Sequence, residues 1–189
     1  MRKARFYIIF ILLLLAICSC KEQAIKKEIS RIIGTKVEIP EGLQAMLYGK
    51  DTIVDFSNSD IKMVVLYKDM LCSVCQLSQM EEWVDFLDIA YASGNAFQIL
   101  FIFSPLEDDI PKLYREMRIS TFPYPIILDY NKSFISDNPE YPRDINYNIV
   151  LINSENRIIA VGNPLYNEQL KNLYISLIAK SVKTIPDNQ

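Results

Sequence analysis

The chain has 189 residues, half of them apolar, enough to build one domain with a proper core, and it shows no low-complexity tract or internal repeat. A formal charge of −3 with no basic stripe argues against nucleic acid as a partner. Histidine is absent, which removes Ser-His-Asp and Cys-His nucleophile arrangements and most catalytic zinc sites at once.

Arg2, Lys3 and Arg5 precede an apolar run from Phe6 to Ile17, the make-up of a secretory signal. That run is about 12 residues, too short to span roughly 30 Å of hydrocarbon as a helix. It ends in Ile17-Cys18-Ser19-Cys20, which resembles the bacterial lipobox, with Ser19 in the small-residue position before Cys20. The resemblance implies that residues 1–19 are a signal peptide and that Cys20 carries diacylglycerol. Loss of the three cations then moves the formal charge from −3 to −6. Two or three acyl chains make a stable anchor. An ordinary signal peptide, or an uncleaved anchor with Cys20 unmodified, is the alternative. Lys21 rather than Asp after the cysteine resembles outer-membrane sorting. The expected location is therefore the bacterial cell envelope, at the outer membrane, facing the periplasm or the surface.

Residues 20–35 read as a membrane-proximal spacer helix, with Ile25, Ile29 and Ile32 at helical spacing and Gly34 closing it. Residues 36–60 hold short strands at Lys36 to Ile39 and Leu43 to Tyr48, separated by Pro40-Glu-Gly42. From residue 61 the elements alternate. A strand at Ile61 to Tyr67 leads into a helix on which Leu77, Met80, Val84, Leu87 and Tyr91 share a face. Ser93-Gly-Asn95 ends that helix, and a strand at Phe97 to Phe103 follows. Ser104 to Ile119 reads as a second helix with Pro111 in its first turn. A strand at Tyr124 to Leu128 ends at Asp129. After an irregular, proline-spaced segment, Ile149 to Ile152 and Arg157 to Val161 read as antiparallel strands, because four residues, Asn153 to Asn156, make a hairpin-length connection. Asn167 starts a last helix with Leu170, Leu173, Tyr174, Leu177 and Ile178 on its apolar face. Residues 184–189 are a tail.

Cys72-Ser-Val-Cys75 stands between the first of these strands and its helix. Free N–H groups and the positive dipole end at a helix start stabilise a thiolate on the first cysteine. Two cysteines three apart on a helical turn lie on the same side, close enough for a disulfide. In this reading Cys72 is the exposed attacking sulfur and Cys75 the more buried resolving one; a static disulfide is the plainer alternative. A structural zinc site wants about four Cys or His ligands. Only these two cysteines fall in the folded part, so no metal or other cofactor is expected. Trp83, mid-helix, reads as core.

The order β-α-β-α-β, then a β-hairpin and a helix, resembles the thioredoxin superfamily over about 61–183, and in particular its bacterial lipoprotein members related to cytochrome-maturation thioredoxins and peroxiredoxins. Phe122-Pro-Tyr-Pro-Ile-Ile-Leu-Asp129 is similar to the family's "F-P-x-x-x-D" strand, and Ile149 to Asn156 to its "T-F-L-I-D-x-x-G" hairpin. The resemblance implies an α/β thioredoxin-like fold with a central mixed β-sheet flanked by helices. It implies a membrane-anchored thiol-disulfide oxidoreductase acting through Cys72 and Cys75 on protein thiols or disulfides, with an unidentified electron donor. A non-catalytic binding lipoprotein with a structural disulfide is the alternative. A peroxidase lacks a second cysteine motif here.

Two departures stand out. Met70-Leu71, rather than an aromatic residue, precedes Cys72. The family also has a cis-proline loop opposite the cysteines that pairs with substrate. Aligning the hairpin puts Tyr147 at or near that position, while Pro142 comes too early. A second register places Pro123 there instead. The Tyr147 register leaves the last two strands and the helix in their places.

Overall fold

The computed structural model describes residue 23, residues 26–68, 77, 80–142, 144 and 147–182. Two strands organise it. β3 (Ile61–Lys68) and β4 (Phe97–Ser104) pair in parallel along their whole length, Ile61 opposite Phe97 and Lys68 opposite Ser104. Both are apolar on both faces, as expected of central parallel strands covered from two sides. The apolar residues Ile61, Met63 and Val65 meet one layer, and Val64 and Leu66 the other.

Around this pair the described residues form a seven-stranded sheet in the order β2-β1-β5-β4-β3-β6-β7. β1 (Gln44–Leu47) and β2 (Lys50–Thr52) make a hairpin whose first strand pairs antiparallel with β5 (Ile126–Leu128). β5 runs parallel to β4. On the other flank β6 (Ile149–Asn153) is antiparallel to β3, and β7 (Ile158–Val161) to β6, as the hairpin length requires.

One face carries α2 (Val84–Ala92), α3 (Ile110–Ile119) and α5 (Glu168–Val182), whose buried Phe86, Leu113, Met117, Tyr174 and Ile178 enter a single core with the odd-numbered residues of β3 and β4. α5 is capped by the Asn167 side chain, which accepts the Leu170 N–H at 3.0 Å. The opposite face is covered by α1 (26–32), by the strap that follows it, and by α4 (Ser133–Asp137) with Tyr141. The strap lies along the outer edge of the sheet. Gly34 N–H donates to the Ile158 carbonyl, Ile158 N–H to that of Thr35, and Val37 N–H to that of Asn156. An open edge that would invite pairing with another chain is covered in this way.

Four local expectations need correction. Residues 36–39 are not a strand; only Lys36 forms a bridge, to Arg157. Ser104 belongs to β4, and the following helix begins as a tight turn at Glu107–Asp109 before α3. The segment after Asp129 is not all irregular. Asp129, itself buried, accepts the N–H groups of Ser133 at 2.9 Å and Phe134 at 3.0 Å and so caps α4. Finally, the buried face of the helix after β3 is rotated. Met80, Trp83, Phe86, Leu87 and Ala90 are buried, whereas Val84 and Tyr91 are 54% and 56% exposed. A 3-10 turn at Met80–Trp83, where three residues complete a turn, precedes α2, so the α-helical frame beyond it starts from a different angle.

Candidate functional site at the C-terminal edge of the central strands

β3 ends at Lys68, and the next described elements are Leu77 and the Met80–Trp83 turn. The cysteines predicted to do the chemistry, Cys72 and Cys75, lie outside the described residues, as does Cys20.

Tyr67, the second-last residue of β3, stacks at a tilt on Phe103 with ring centroids 4.6 Å apart. Its hydroxyl accepts the Trp83 indole N–H at 3.1 Å, tying the end of the strand to the start of the helix. Trp83 is fully buried, against Phe101 and Phe86, and is core as its sequence context predicts. Burial pushes the Tyr67 phenol well up, so it is neutral at neutral pH. At the helix surface, Tyr166 donates its hydroxyl to the Glu82 carboxylate at 3.2 Å, linking the loop after β7 to the same turn.

Tyr147 lies two residues before β6. The ladder sets Ile149 opposite Val65, so this strand start adjoins the end of β3. Asn148 fixes the junction. Its side-chain amide donates to the Leu66 carbonyl at 2.6 Å, and its own carbonyl accepts the Leu66 N–H at 3.1 Å. Its Oδ1 is buried without a hydrogen-bond partner among the described residues.

Two buried tyrosines from opposite layers hold this strand start. The Tyr141 hydroxyl sits 3.1 Å from the carbonyls of Val64 and Asn148, and the Tyr174 hydroxyl 3.2 Å and 3.1 Å from those of Ile149 and Gly162. Consecutive residues of one strand are thus pinned from above and below. Burial pushes both phenols up, which keeps them neutral donors. Beside Tyr147 opens a groove of about 540 Å³, walled by Ile29, Gly162, Tyr166, Leu170 and Leu173.

Pro123 sits elsewhere. It is exposed, its peptide bond with Phe122 is trans, and its carbonyl accepts the Tyr91 hydroxyl at the far end of α2. Its neighbour Tyr124 accepts the Ile99 N–H at 3.0 Å, early in β4, whereas Tyr147 adjoins the end of β3. The structure therefore separates the two candidates for the substrate loop. Among the described residues no group of three or more His, Cys, Asp or Glu is placed to hold a metal ion.

Sequence reasoning passed over Tyr67, Asn148 and Tyr174 as site-shaping residues. The signal was weak but present: Tyr67 puts a hydroxyl near the end of an apolar run, Asn148 an amide just before one, and Tyr174 a hydroxyl on the apolar face of its helix.

A mixed sheet with helices on both faces, a central strand feeding a helix at its C-terminal edge, and an antiparallel hairpin whose first strand starts beside that edge make up the thioredoxin-like fold. No protein-family model matches the chain, and no curated protein matches it. Solved structures do. AhpC of Mycobacterium tuberculosis superposes with a TM-score of 0.51 at 16% identity over 77% of this chain and 97% of that one. AhpC of Mycobacterium bovis gives 0.50 at 16% identity over 77% and 97%. A hypothetical protein of Sinorhizobium meliloti 1021 gives 0.52 at 10% identity over 78% and 85%. At such identities the likeness is one of fold, and that fold is thioredoxin-like.

Proposed function

We propose that the protein is a thiol-disulfide oxidoreductase, held at a bacterial membrane by a lipid on Cys20 and acting outside the cytoplasm on protein thiols or disulfides. The observation that carries this reading is the meeting of the end of β3, the Met80–Trp83 turn and the start of β6 at one edge of the sheet. Cys72 is four residues beyond Lys68 and Cys75 two before Leu77. Connectivity alone keeps Cys72 within about 14 Å of the strand end.

The chemistry follows from thiolate stabilisation at the start of a helix. The Cys72 thiolate attacks one sulfur of a substrate disulfide; that S–S bond breaks, a mixed disulfide forms, and one substrate thiolate leaves. Cys75, as thiolate, then attacks the Cys72 sulfur, forming the Cys72–Cys75 disulfide and releasing the second substrate thiolate. Two electrons have passed to the substrate. The reverse sequence oxidises a dithiol. Tyr147, beside this edge and open to the 540 Å³ groove, is the residue assigned to meet the substrate backbone.

The strap supports the anchored reading. Ile29 in α1 borders the groove with Tyr147, while Val37 bonds to Asn156 at the other end of β7. The chain thus enters the fold at the Tyr147 edge. Cys20 lies six residues before Lys26, within about 22 Å of extended chain. A lipid there holds the reactive edge close to the membrane surface.

Replacing Cys75 by Ser traps partner proteins as mixed disulfides on Cys72, and replacing Cys72 by Ser abolishes both trapping and exchange. A pair with a potential below about −300 mV that no physiological dithiol reduces is a structural disulfide and defeats the assignment. The tyrosine that stands two residues before β6, in the place of a proline, favours a second reading: a binding lipoprotein with a stapling disulfide. That reading requires partner binding to survive both replacements. Mass spectrometry of the mature N-terminus checks the anchor; an N-terminus without acyl groups on Cys20 removes it.

A further inference from the structure

At the opposite end of β3, on the face covered by the strap, Lys62 interrupts the apolar run. It is 3% exposed. Its ammonium donates to the Ser59 carbonyl at 3.3 Å and to Asn156 Oδ1 at 3.1 Å, both neutral acceptors. No carboxylate among the described residues comes within ion-pair distance of it, and the charge of nearby Asp60 offsets only part of the effect of burial. Beside it in the ladder is Gln98, also buried, whose side-chain oxygen accepts the Ser59 hydroxyl. Burying a cation without an ionic partner is costly, and such a charge is retained where something compensates it.

Lys62 and Asn156 form part of the wall of a cavity of about 450 Å³. This is the size range of small-molecule sites, which pair apolar walls with a few fixed polar groups. The apolar wall here comes from Ile39, Leu43, Val54, Phe56 and Ile127. At its rim stand two exposed carboxylates, Glu41 and Asp55, and the second is held in place by the Ser57 N–H at 2.8 Å. The Ser57 hydroxyl, with that N–H, holds Asp55 below the usual carboxylate range. Charge therefore runs from positive at the inner end to negative at the rim, with aliphatic surface between.

We propose that this cavity binds a small aliphatic α-amino acid, its carboxylate on the Lys62 ammonium, its amine toward Asp55 and Glu41 and its side chain on the apolar wall. A simple anion satisfies Lys62 but meets the rim carboxylates; a simple cation satisfies the rim and leaves Lys62 unpaired. The site is separate from the edge that carries Tyr147 and is independent of the redox reading.

Titration calorimetry of the full-length chain with three probes tests it: leucine, 4-methylpentanoate, which lacks the amine, and leucinamide, which lacks the carboxylate. Leucine binds saturably at one site, 4-methylpentanoate about threefold more weakly, the scale of an exposed ion pair, and leucinamide not detectably. Lys62→Met weakens leucine binding about tenfold or more, the scale of a lost charge-assisted hydrogen bond. Asp55→Asn, at an exposed position, brings leucine to the level of 4-methylpentanoate. Should Lys62→Met fail to fold, the three probes on the unaltered chain still decide. Leucinamide binding as well as leucine, leucine binding a folded Lys62→Met variant undiminished, or no saturable binding of any probe overturns the proposal and leaves Lys62 as a clamp between β3 and the β6–β7 turn.

Discussion

Replacing Tyr141 or Tyr174 by Phe removes one hydroxyl from either side of the strand start next to Tyr147 and leaves the ring. A hydroxyl has one proton and donates to one carbonyl at a time, so each variant loses one hydrogen bond although each tyrosine touches two carbonyls. The carbonyls of Asn148 and Ile149 are not orphaned, because they keep the Leu66 N–H at 3.1 Å and the Gly162 N–H at 2.8 Å. For Tyr141→Phe the cost therefore falls at the net value of one hydrogen bond, about 1 kcal/mol, and for Tyr174→Phe, whose hydroxyl also reaches the buried Gly162 carbonyl, between that and about 3 kcal/mol. For a chain of this size each kcal/mol lost lowers the melting temperature by about 2–4 °C. Urea unfolding followed by the fluorescence of Trp83, the chain's single tryptophan and fully buried, measures it. Amide exchange at residues 148 to 150 should quicken in both variants. A loss below about 0.3 kcal/mol in both denies the pinning role, and one above about 3 kcal/mol means that packing around the rings, not the hydroxyls, holds the strand.

Gly49→Ala should destabilise by about 1–3 kcal/mol, because a Cβ there meets the Arg118 carbonyl oxygen at 2.3 Å and the residue holds φ +69°; proteolysis within residues 44–52 should rise with it. Above pH 10 the fold should weaken steeply. Burial raises the pKa of Tyr67, Tyr141 and Tyr174, so the folded state keeps its phenols protonated while the unfolded chain ionises, and stability present below about pH 10 is lost as pH rises beyond it; a urea midpoint that stays level from pH 9 to 12 contradicts this. Lys62 has the opposite sign. Burial lowers its pKa, against a smaller raising effect of Asp60, so the cost of its charge is carried in full below its folded pKa and relieved as pH climbs toward 10.5. The stability of a folded Lys62→Met variant relative to the unaltered chain should accordingly decline over that range, and a gap independent of pH shows that the ammonium carries no such cost.

Much of the fold was legible because its centre obeys local rules. β3 and β4 are long runs that are apolar but for Lys62, Gln98 and their last residues, the four-residue connection dictates an antiparallel hairpin, and Asn167 marks the start of α5 by the side chain that caps it. What local rules could not supply was partnership across long separations. Nothing in Gln44–Leu47 says that it will pair with Ile126–Leu128. Nor does Ser-Phe-Ile-Ser-Asp announce a helix; α4 depends on the Asp129 carboxylate at its start and on Phe134 packing edge-on against Tyr141, 5.1 Å between centroids. The rotated face of α2 has the same origin. Periodicity counted at 3.6 residues per turn cannot anticipate a 3-10 turn, at whose end Trp83 points inward and reaches Tyr67.

The candidate site divides along similar lines. A motif identifies the cysteines because their chemistry is local, needing two sulfurs near one helix start. The residue that faces them is a matter of register, and the sequence offered two, Tyr147 and Pro123, each followed by a plausible strand. Topology sets these two at opposite ends of the central pair: a residue before a strand antiparallel to β3 adjoins the C-terminal end of β3, while one before a strand running parallel to β4 adjoins its beginning. Any residue at the first position, whatever its type, therefore adjoins the end of β3. Whether it can serve a substrate depends on how firmly its backbone is held. Here Asn148 on Leu66 and the two tyrosines hold the following residues, in place of the restriction a proline ring imposes on its own backbone. If the redox reading is right, loosening either tyrosine should slow disulfide exchange without changing the Cys72–Cys75 potential, since it disturbs the substrate's seat and leaves the thiols alone. A shift in potential with an unchanged exchange rate would show that the pins act on the cysteines instead.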